Sequence, residues 1–168
     1  TTSVNAIVSS TLDMRRYALT VHGVELEERL DDALPVIWAD QSQLQEVFLN
    51  LIGNAEQALR GWQGERRIIV TTEVRGERIV VTVRDTGPGI SAAEIDRVFN
   101  PFYTTKVVGK GTGLGLSVSD GIVREHGGAI RVESSEGAGA SFVVELPIVA
   151  PPGTTPAEHG ERDDEPST

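Results

Sequence analysis

The sequence has no cysteine among its 168 residues, which excludes a disulfide framework and a thiolate metal site. Long apolar runs are also missing. None approaches the roughly 20 residues that a membrane-spanning helix needs, so we expect no membrane contact by this chain. Basic residues are scarce, with 15 Lys and Arg against 25 Asp and Glu and a net charge of −10. Proteins that bind a nucleic acid backbone usually carry basic faces, so we expect no nucleic acid partner.

The two ends of the chain differ from its middle. Residues 1–5 contain neither Met nor a basic segment and do not predict a signal peptide. We therefore expect a cytoplasmic piece of a longer protein, which itself could be membrane-anchored. After Ala150 the composition shifts to Pro, Gly, Thr and acidic residues, which predicts a flexible acidic tail or linker over residues 150–168. Residues 1–149 are of a size to form one folded domain.

Apolar periodicity predicts helices and strands in alternation along this domain. The predicted helices cover residues 3–20, 41–60 and 114–125, with a short one near 91–98. The predicted strands cover residues 24–30, 68–74, 78–83, 129–134 and 140–146, with a short extended run at 35–38. We expect an α+β fold, a two-layer α/β sandwich in which a mixed, mostly antiparallel sheet of about five strands packs under about three helices.

The helix predicted over residues 41–60 carries an unusual polar edge. Its start is marked by Asp40 as N-cap, with Gln43 as capping-box partner, and its end by Gly61. Asn50 and Asn54 lie one turn apart on one edge, although Asn is unfavourable inside a helix. This edge could simply be solvated. Alternatively, an Asn carbonyl could face Mg²⁺, which prefers oxygen ligands and takes only one or two from the protein beside substrate phosphates.

A second candidate is Asp85, which ends a strand and is followed by Thr-Gly-Pro-Gly. These residues are typical of a turn. A carboxylate at this place could also accept a hydrogen bond from the exocyclic amine of adenine, whereas the carbonyl of guanine would be repelled. Gly87 and Gly89 would leave room for a flat base. A hydrogen bond to a charged group contributes about 1.5–3 kcal/mol.

A third candidate is a glycine-rich segment directly before the helix at 114–125. Backbone N–H groups of such a segment can cradle phosphates, and the helix N-terminus favours negative charge. The segment is neither a Walker loop nor a dinucleotide fingerprint, and its composition also suits a mobile loop. Its glycines, and the polar residues that could contact phosphate or be solvated, are Gly109, Gly111, Gly113, Gly115, Thr104, Thr105, Lys106 and Lys110.

Read together, these segments resemble the catalytic domain of sensor histidine kinases, in the superfamily of gyrase, chaperone, histidine kinase and mismatch-repair ATPases. The resemblance covers residues 3–147 and rests on four motifs in the family's order. The N box, G1 box, F box and G2 box are similar to residues 45–55, 85–90, 99–106 and 111–116. The wording Phe-Tyr-Thr-Thr-Lys and the short lid resemble the nitrogen-regulation subtype.

The resemblance implies that the chain binds ATP with Mg²⁺ and serves transfer of the γ-phosphoryl group to a histidine. Asn54 would be the Mg²⁺ ligand, Asn50 would lie beside the phosphates, and Asp85 would bind the adenine amine. Phe99 and Phe102 would anchor a lid over residues 103–113 or face partner helices. The remaining implied ATP contacts are Gly87, Gly89, Ile90, Tyr103, Thr104, Thr105, Lys106, Lys110, Gly111, Thr112, Gly113, Leu114, Gly115 and Leu116.

Two positions depart from the family's pattern. Ala140 stands where the family often has Thr, so a hydroxyl near adenine is missing, and Ser141 should point to the other face of its strand. Gln57 stands three residues after Asn54, where some relatives have Lys, which leaves a phosphate contact from this position open.

None of the histidines has the context of a phosphoacceptor, so we expect His22, His126 and His159 to be structural or solvated, and no residue is assigned as catalytic. The implied partners are the protein's own dimerisation and phosphoacceptor domain, which the helix at 3–20 would follow, and a response regulator receiver domain. The fragment alone should lack autophosphorylation. The alternatives are a nucleotide-sensing module without transfer activity and an anti-sigma-type serine kinase. Intact Asn54, Asp85 and Gly113 argue against the first alternative, and the F box argues against the second.

Overall fold

The computed structural model describes residues 1–103, 114–150 and 152–153. Its helices are α1 (Val4–Val21), α2 (Gln41–Leu59), α3 (Ala92–Ile95) and α4 (Gly115–Glu125), and its strands are β1 (Glu25–Arg29), β2 (Arg67–Arg75), β3 (Arg78–Asp85), β4 (Ala129–Ser134) and β5 (Ala140–Pro147). This order agrees with the predicted one. The extended run at 35–38 forms an isolated bridge between Ile37 and Thr2. Within the described ranges, no helix is long and apolar enough to cross a membrane.

The five strands form one sheet in the order β1-β2-β3-β5-β4. Only β1 pairs in parallel, with β2, and the other neighbours are antiparallel. The predicted α+β class with a mixed, mostly antiparallel sheet is therefore confirmed. Because β3 is the central strand, its last residue, Asp85, lies between Ile68 on β2 and Ala140 on β5.

Helices α1, α2 and α4 cover one face of the sheet, with α2 in contact with both of the others. Alternate residues of the strands enter this core, as in any half-buried strand. Each fully buried aliphatic or aromatic side chain contributes about 1.5–3 kcal/mol. The core includes Ile7, Leu12, Leu44, Phe48, Leu51 and Ile52 from the helices, and Ile68, Val70, Val81, Val83, Phe142 and Val144 from the sheet.

The opposite face of the sheet carries ion pairs between neighbouring strands. Arg67 on β2 lies 3.6 Å from carboxylates of Glu25 and Glu27 on β1, and Arg131 on β4 pairs with Glu145 on β5. Such exposed pairs contribute about 0–1 kcal/mol each. Their main effect is to keep this face polar, which fits a sandwich of two layers.

The start of α2 is only partly as predicted. The Asp40 side chain accepts a hydrogen bond from the Gln43 N–H at 3.0 Å, which confirms the N-cap. In a capping box, the Asp40 N–H would in return donate to the side-chain oxygen of Gln43. That prediction is wrong, because the Asp40 N–H donates instead to Nε2 of His126 at 3.1 Å. The Asp40 N–H is therefore bound by the C-cap residue of α4 and not by a residue of its own helix.

A buried carboxylate joins α1 to α2. Glu56 is 1% exposed and pairs with Arg15, with His22 Nδ1 at 2.9 Å and with Arg60 at 3.4 Å. Desolvation pushes the pKa of Glu56 upward, but the hydrogen bond and charge of Arg15, helped by His22 and Arg60, bring it below its ordinary value. His22 therefore takes part in the link between α1 and α2.

We expect Glu56→Gln to lower the free energy of unfolding by about 1.5–3 kcal/mol at pH 7, because it removes the charge of the buried carboxylate to which Arg15 donates. The folded pKa of Glu56 lies below its ordinary 4.5. Its ionic contribution is therefore present above pH 4.5 and is lost as the pH falls through the folded pKa. Urea unfolding from pH 7 to pH 3 measures this. Exposed Glu46→Gln is the control, and a difference that stays constant with pH contradicts the ionic origin.

Candidate nucleotide-binding site

The polar edge of α2 faces the first turn of α4. The Asn50 amide donates to the carbonyl of Gly115 at 3.2 Å and to the Ser119 hydroxyl at 3.1 Å. Ser119 is fully buried and donates to the same Gly115 carbonyl at 2.8 Å. The NH₂ group of Asn50 therefore fastens the helix that follows the glycine-rich segment. Its contact with phosphate stays a prediction.

Asn54 lies one turn further along this edge and is half-buried. In the part of the chain that the structure describes, no group of three His, Cys, Asp or Glu could hold a metal by itself. A carbonyl oxygen of Asn54 beside substrate phosphates suits Mg²⁺, which needs few protein ligands. On the same edge, Gln57 Oε1 is buried and accepts no hydrogen bond from the described residues. Such an acceptor fits a polar ligand along this edge.

The far end of the α2 edge meets the loop after β3. A Cβ placed on Gly87 would lie 3.3 Å from the Ala58 carbonyl and 3.0 Å from Oδ1 of Asp85. One edge of α2 therefore runs from the start of α4, at Asn50, to the Asp85 loop, at Ala58. This arrangement places the predicted phosphate end and the predicted adenine end of the site on a single helix.

Asp85 is 2% exposed and is held at the end of the central strand. Its Oδ1 accepts the Gly87 N–H at 2.9 Å. Burial raises the pKa of Asp85, and hydrogen bonds from the Gly87 and Ala140 backbones and the charge of Arg84 offset only part of that rise. A carboxylate that is this poorly solvated gains strongly from a further hydrogen-bond donor, such as an exocyclic amine.

The loop after Asp85 rests on the turn between β4 and β5. The Ile90 N–H donates to the Ser134 hydroxyl at 2.8 Å. A Cβ on Gly89 would overlap the carbonyl oxygen of Ser135, and one on Gly139 would overlap that of Asp85. Glycine at these places lets two backbones touch. The turn thereby fixes the position of Asp85.

Comparison with known proteins agrees with this geometry. Residues 39–150 match the family model described as histidine kinase-, DNA gyrase B-, and HSP90-like ATPase. The chain belongs to this ATPase family. The resemblance predicted from the four motifs is confirmed.

Similar curated proteins include sensor histidine kinases and a two-component sensor. The sensor histidine kinase ZraS of Escherichia coli (strain K12) is 38% identical over 146 residues, which are 86% of this chain and 30% of ZraS. The two-component sensor PprA of Pseudomonas aeruginosa is 40% identical over 141 residues, 79% of this chain and 15% of PprA. The chain thus spans less than a third of the length of these relatives.

Similar solved structures include the nucleotide-free catalytic domain of the histidine kinase ThkA. It is 29% identical, with a TM-score of 0.76 over 88% of this chain and 94% of that domain. Full-length ShkA in complex with AMPPNP is 27% identical, with a TM-score of 0.77 over 89% of this chain and 31% of ShkA. The fold of this ATPase domain is therefore that of histidine kinase catalytic domains.

The F box of the ATPase domain separates into a packed and an exposed part. The ring of Phe99 packs edge-to-face on Phe142, with centroids 6.3 Å apart. Phe102 is 73% exposed. Desolvation, then the charge and hydrogen bond of Glu94 on α3, raise the pKa of Tyr103, and the ATP contact of Tyr103 stays a prediction. Phe99 thus contacts the core as a lid anchor would, while Phe102 is open to a partner.

Part of the predicted site lies outside the described residues, namely Thr104, Thr105, Lys106, Lys110, Gly111, Thr112 and Gly113. These contacts stay predictions. Leu114 is the N-cap of α4, Gly115 binds Asn50 through its carbonyl, and Leu116 packs against the core. The structure brings the described start of α4 to α2, as the predicted site requires.

Other positions show what the sequence did and did not indicate. Ala140 is buried opposite Asp85, and Ser141 lies outside the core cluster, on the other face of β5, as predicted. Sequence reasoning missed Ser119, because a serine among the Gly, Leu and Val of α4 carries no distinguishing signal. It also missed Gly139, although the glycine pair at 137 and 139 indicated a tight turn.

Proposed function

We propose that this chain is the ATP-binding catalytic domain of a two-component sensor histidine kinase. In this proposal residues 1–149 bind Mg²⁺ and ATP, and the γ-phosphoryl group passes to a histidine on a dimerisation domain outside the chain. The observation that supports it is the single edge of α2, which runs from the start of α4 at Asn50 to the adenine-type loop at Ala58. Similarity to sensor kinases favours this function over a transfer-inactive sensor module or a serine kinase.

The domain would act mainly by positioning ATP and by stabilising charge, because the protein forms few covalent bonds itself in phosphoryl transfer. Asp85 would accept the adenine amine, and the N-terminus of α4 would attract phosphate oxygens. Asn54 would hold Mg²⁺, which supplies charge neutralisation when bound. The bond from the γ-phosphorus to the bridging oxygen of ADP breaks, and a bond to the histidine nitrogen forms. ADP then leaves.

The partners in this proposal are the proteins or domains that would accept the phosphoryl group. Among the described residues, His22 bonds to Glu56 and His126 to Asp40, and we propose that neither is the phosphoacceptor. A dimerisation domain would supply the histidine, and a response regulator receiver domain would accept the phosphoryl group. We place the domain in the cytoplasm, where ATP is available.

The test joins the domain to the dimerisation helices of the longer protein and supplies radiolabelled ATP. We expect the joined protein to be labelled on histidine and the isolated domain not to be. Asn54→Ala should lower both the labelling rate and the Mg²⁺-dependent part of ADP affinity at least about tenfold, equivalent to roughly 1.4 kcal/mol. Exposed Gln41→Ala, on the same helix, is the control. An Mg²⁺ titration that Asn54→Ala leaves unchanged would remove the metal assignment.

A further inference from the structure

Helices α2 and α4 run antiparallel, and hydrogen bonds between described residues link them in two regions. Asn50, in the middle of α2, donates to the Gly115 carbonyl and to the Ser119 hydroxyl in the first turns of α4. At the other end of α4, His126 accepts the N–H of Asp40, the N-cap of α2, at 3.1 Å. These residues are 86 positions apart in the chain. Along α2, Asp40 lies about three turns before Asn50.

The two nitrogens of His126 have fixed roles. Nδ1 lies 2.8 Å from the Ile122 carbonyl, which can only accept, so Nδ1 carries the proton. Nε2 faces the Asp40 N–H, which can only donate, so Nε2 must be unprotonated. The ring is thus a neutral, oriented bridge: it closes the C-terminus of α4 with one nitrogen and satisfies the free N–H of the α2 cap with the other.

The bond between the C-cap of α4 and the N-cap of α2 opposes axial sliding of α4 along α2. Axial sliding of α4 moves its N-terminus relative to Asn54, and a misplacement of about 1 Å can cost two orders of magnitude in a phosphoryl-transfer geometry. The N-terminal end of α4 continues into the glycine-rich segment. Asn50 holds α4 near that end, and His126 is the link that holds the opposite end, at its C-cap.

We propose that His126 is a positioning residue for the nucleotide phosphates. By accepting the Asp40 N–H, it keeps α4 in the register that places Gly115 at Asn50, one turn of α2 before Asn54. It touches neither nucleotide nor metal. The inference rests on the proposed function, because it takes the start of α4 as the phosphate end of the site.

Two substitutions of His126 test its bond to the Asp40 N–H separately from its bond to the Ile122 carbonyl. In His126→Gln the longer amide places an oxygen where Nε2 was, which keeps an acceptor for the Asp40 N–H. In His126→Asn the shorter amide replaces Nδ1 and leaves Asp40 without a partner. We expect His126→Asn to weaken ADP binding about fivefold to tenfold, in line with one lost hydrogen bond, and adenosine binding to be unchanged. His126→Gln should bind ADP nearly as the wild type does.

Calorimetry with ADP and with adenosine, together with thermal unfolding, makes the comparison. Equal ADP affinity in His126→Asn and wild type, or a parallel loss for ADP and adenosine, overturns the proposal and leaves a purely structural bridge. Hydrogen exchange in the wild type needs no variant. ADP should slow exchange of the Asp40 amide and adenosine should not, because coupling between two sites is reciprocal. Identical protection by both ligands overturns the proposal. A wild type that binds no ADP overturns the proposed function itself.

Discussion

Asp85→Asn is expected to weaken ADP binding about a hundredfold, the upper range for a hydrogen bond to a charged group. The Gly87 N–H already holds Oδ1 of Asp85 at 2.9 Å. An Asn side chain that keeps this bond must turn its NH₂ group toward the remaining position. A donor then faces the donor of the adenine amine, so the contact becomes repulsive as well as uncharged.

The same substitution should not destabilise the nucleotide-free domain. Burial holds the pKa of Asp85 above its ordinary 3.8, so the folded state favours the neutral carboxyl. The stability that this group contributes is complete below pH 3.8 and is lost as the pH rises through the folded pKa. Ionisation of Asp85 is therefore less favourable in the folded than in the unfolded protein, and an Asn side chain does not carry this cost. We expect the melting temperature of the Asn variant to equal or exceed that of the wild type.

Calorimetry with ADP and GDP, and melting curves without nucleotide, test both halves of this expectation. The ratio of ADP to GDP affinity should fall, because an NH₂ group can face the carbonyl of guanine. Exposed Asp13→Asn on α1 is the matched control and should change neither quantity. Equal ADP affinity in the Asp85 variant and the wild type would count against the adenine role. A large loss of stability in Asp85→Asn would contradict the expectation that burial of the ionised carboxylate lowers the stability of the wild type.

The local features of the fold were predictable because short-range physics determines them. The apolar period and the Asp40 cap set the bounds of α2 within a residue, since both depend on neighbours one turn away. The strand order was not predictable. It depends on which distant strands pair, and β5 inserts between β3 and β4 only in three dimensions. The failed capping-box bond has the same origin, because the acceptor of the Asp40 N–H is His126, 86 residues away from Asp40.

The candidate site shows the same division between local and distant effects. Asn54 stood out because Asn is unfavourable inside a helix, and Asp85 because a carboxylate followed by a Gly-Pro-Gly loop could bind the adenine amine. The second role of Asn50, as a fastener of α4, could not be foreseen, because it depends on Ser119 lying opposite. The need for glycine at position 139 is likewise set by the backbone of another strand.

Gly139→Ala should lower the free energy of unfolding by at least about 3 kcal/mol, from two separable causes. The first is conformational: φ at Gly139 is +75°, and a side chain in this region costs about 1–2 kcal/mol. The second is steric. The new Cβ would overlap the Asp85 carbonyl oxygen and lie 3.0 Å from the carbonyl carbon. Because the obstacle is backbone of the central strand, it cannot turn aside as a flexible side chain would.

Gly137→Ala isolates the steric cause. Gly137 has a similar φ of +79°, yet nothing lies within 4 Å of a Cβ placed there, and its N–H bond to the Pro88 carbonyl at 2.7 Å is retained. Its loss should stay near the conformational cost, about 1–2 kcal/mol. Urea unfolding of both variants gives the difference. In Gly139→Ala, ADP affinity should also fall, since the clash displaces Asp85, whereas Gly137→Ala should bind normally. If both variants lose the same free energy of unfolding, the overlap with the Asp85 carbonyl contributes nothing and the steric cause is contradicted.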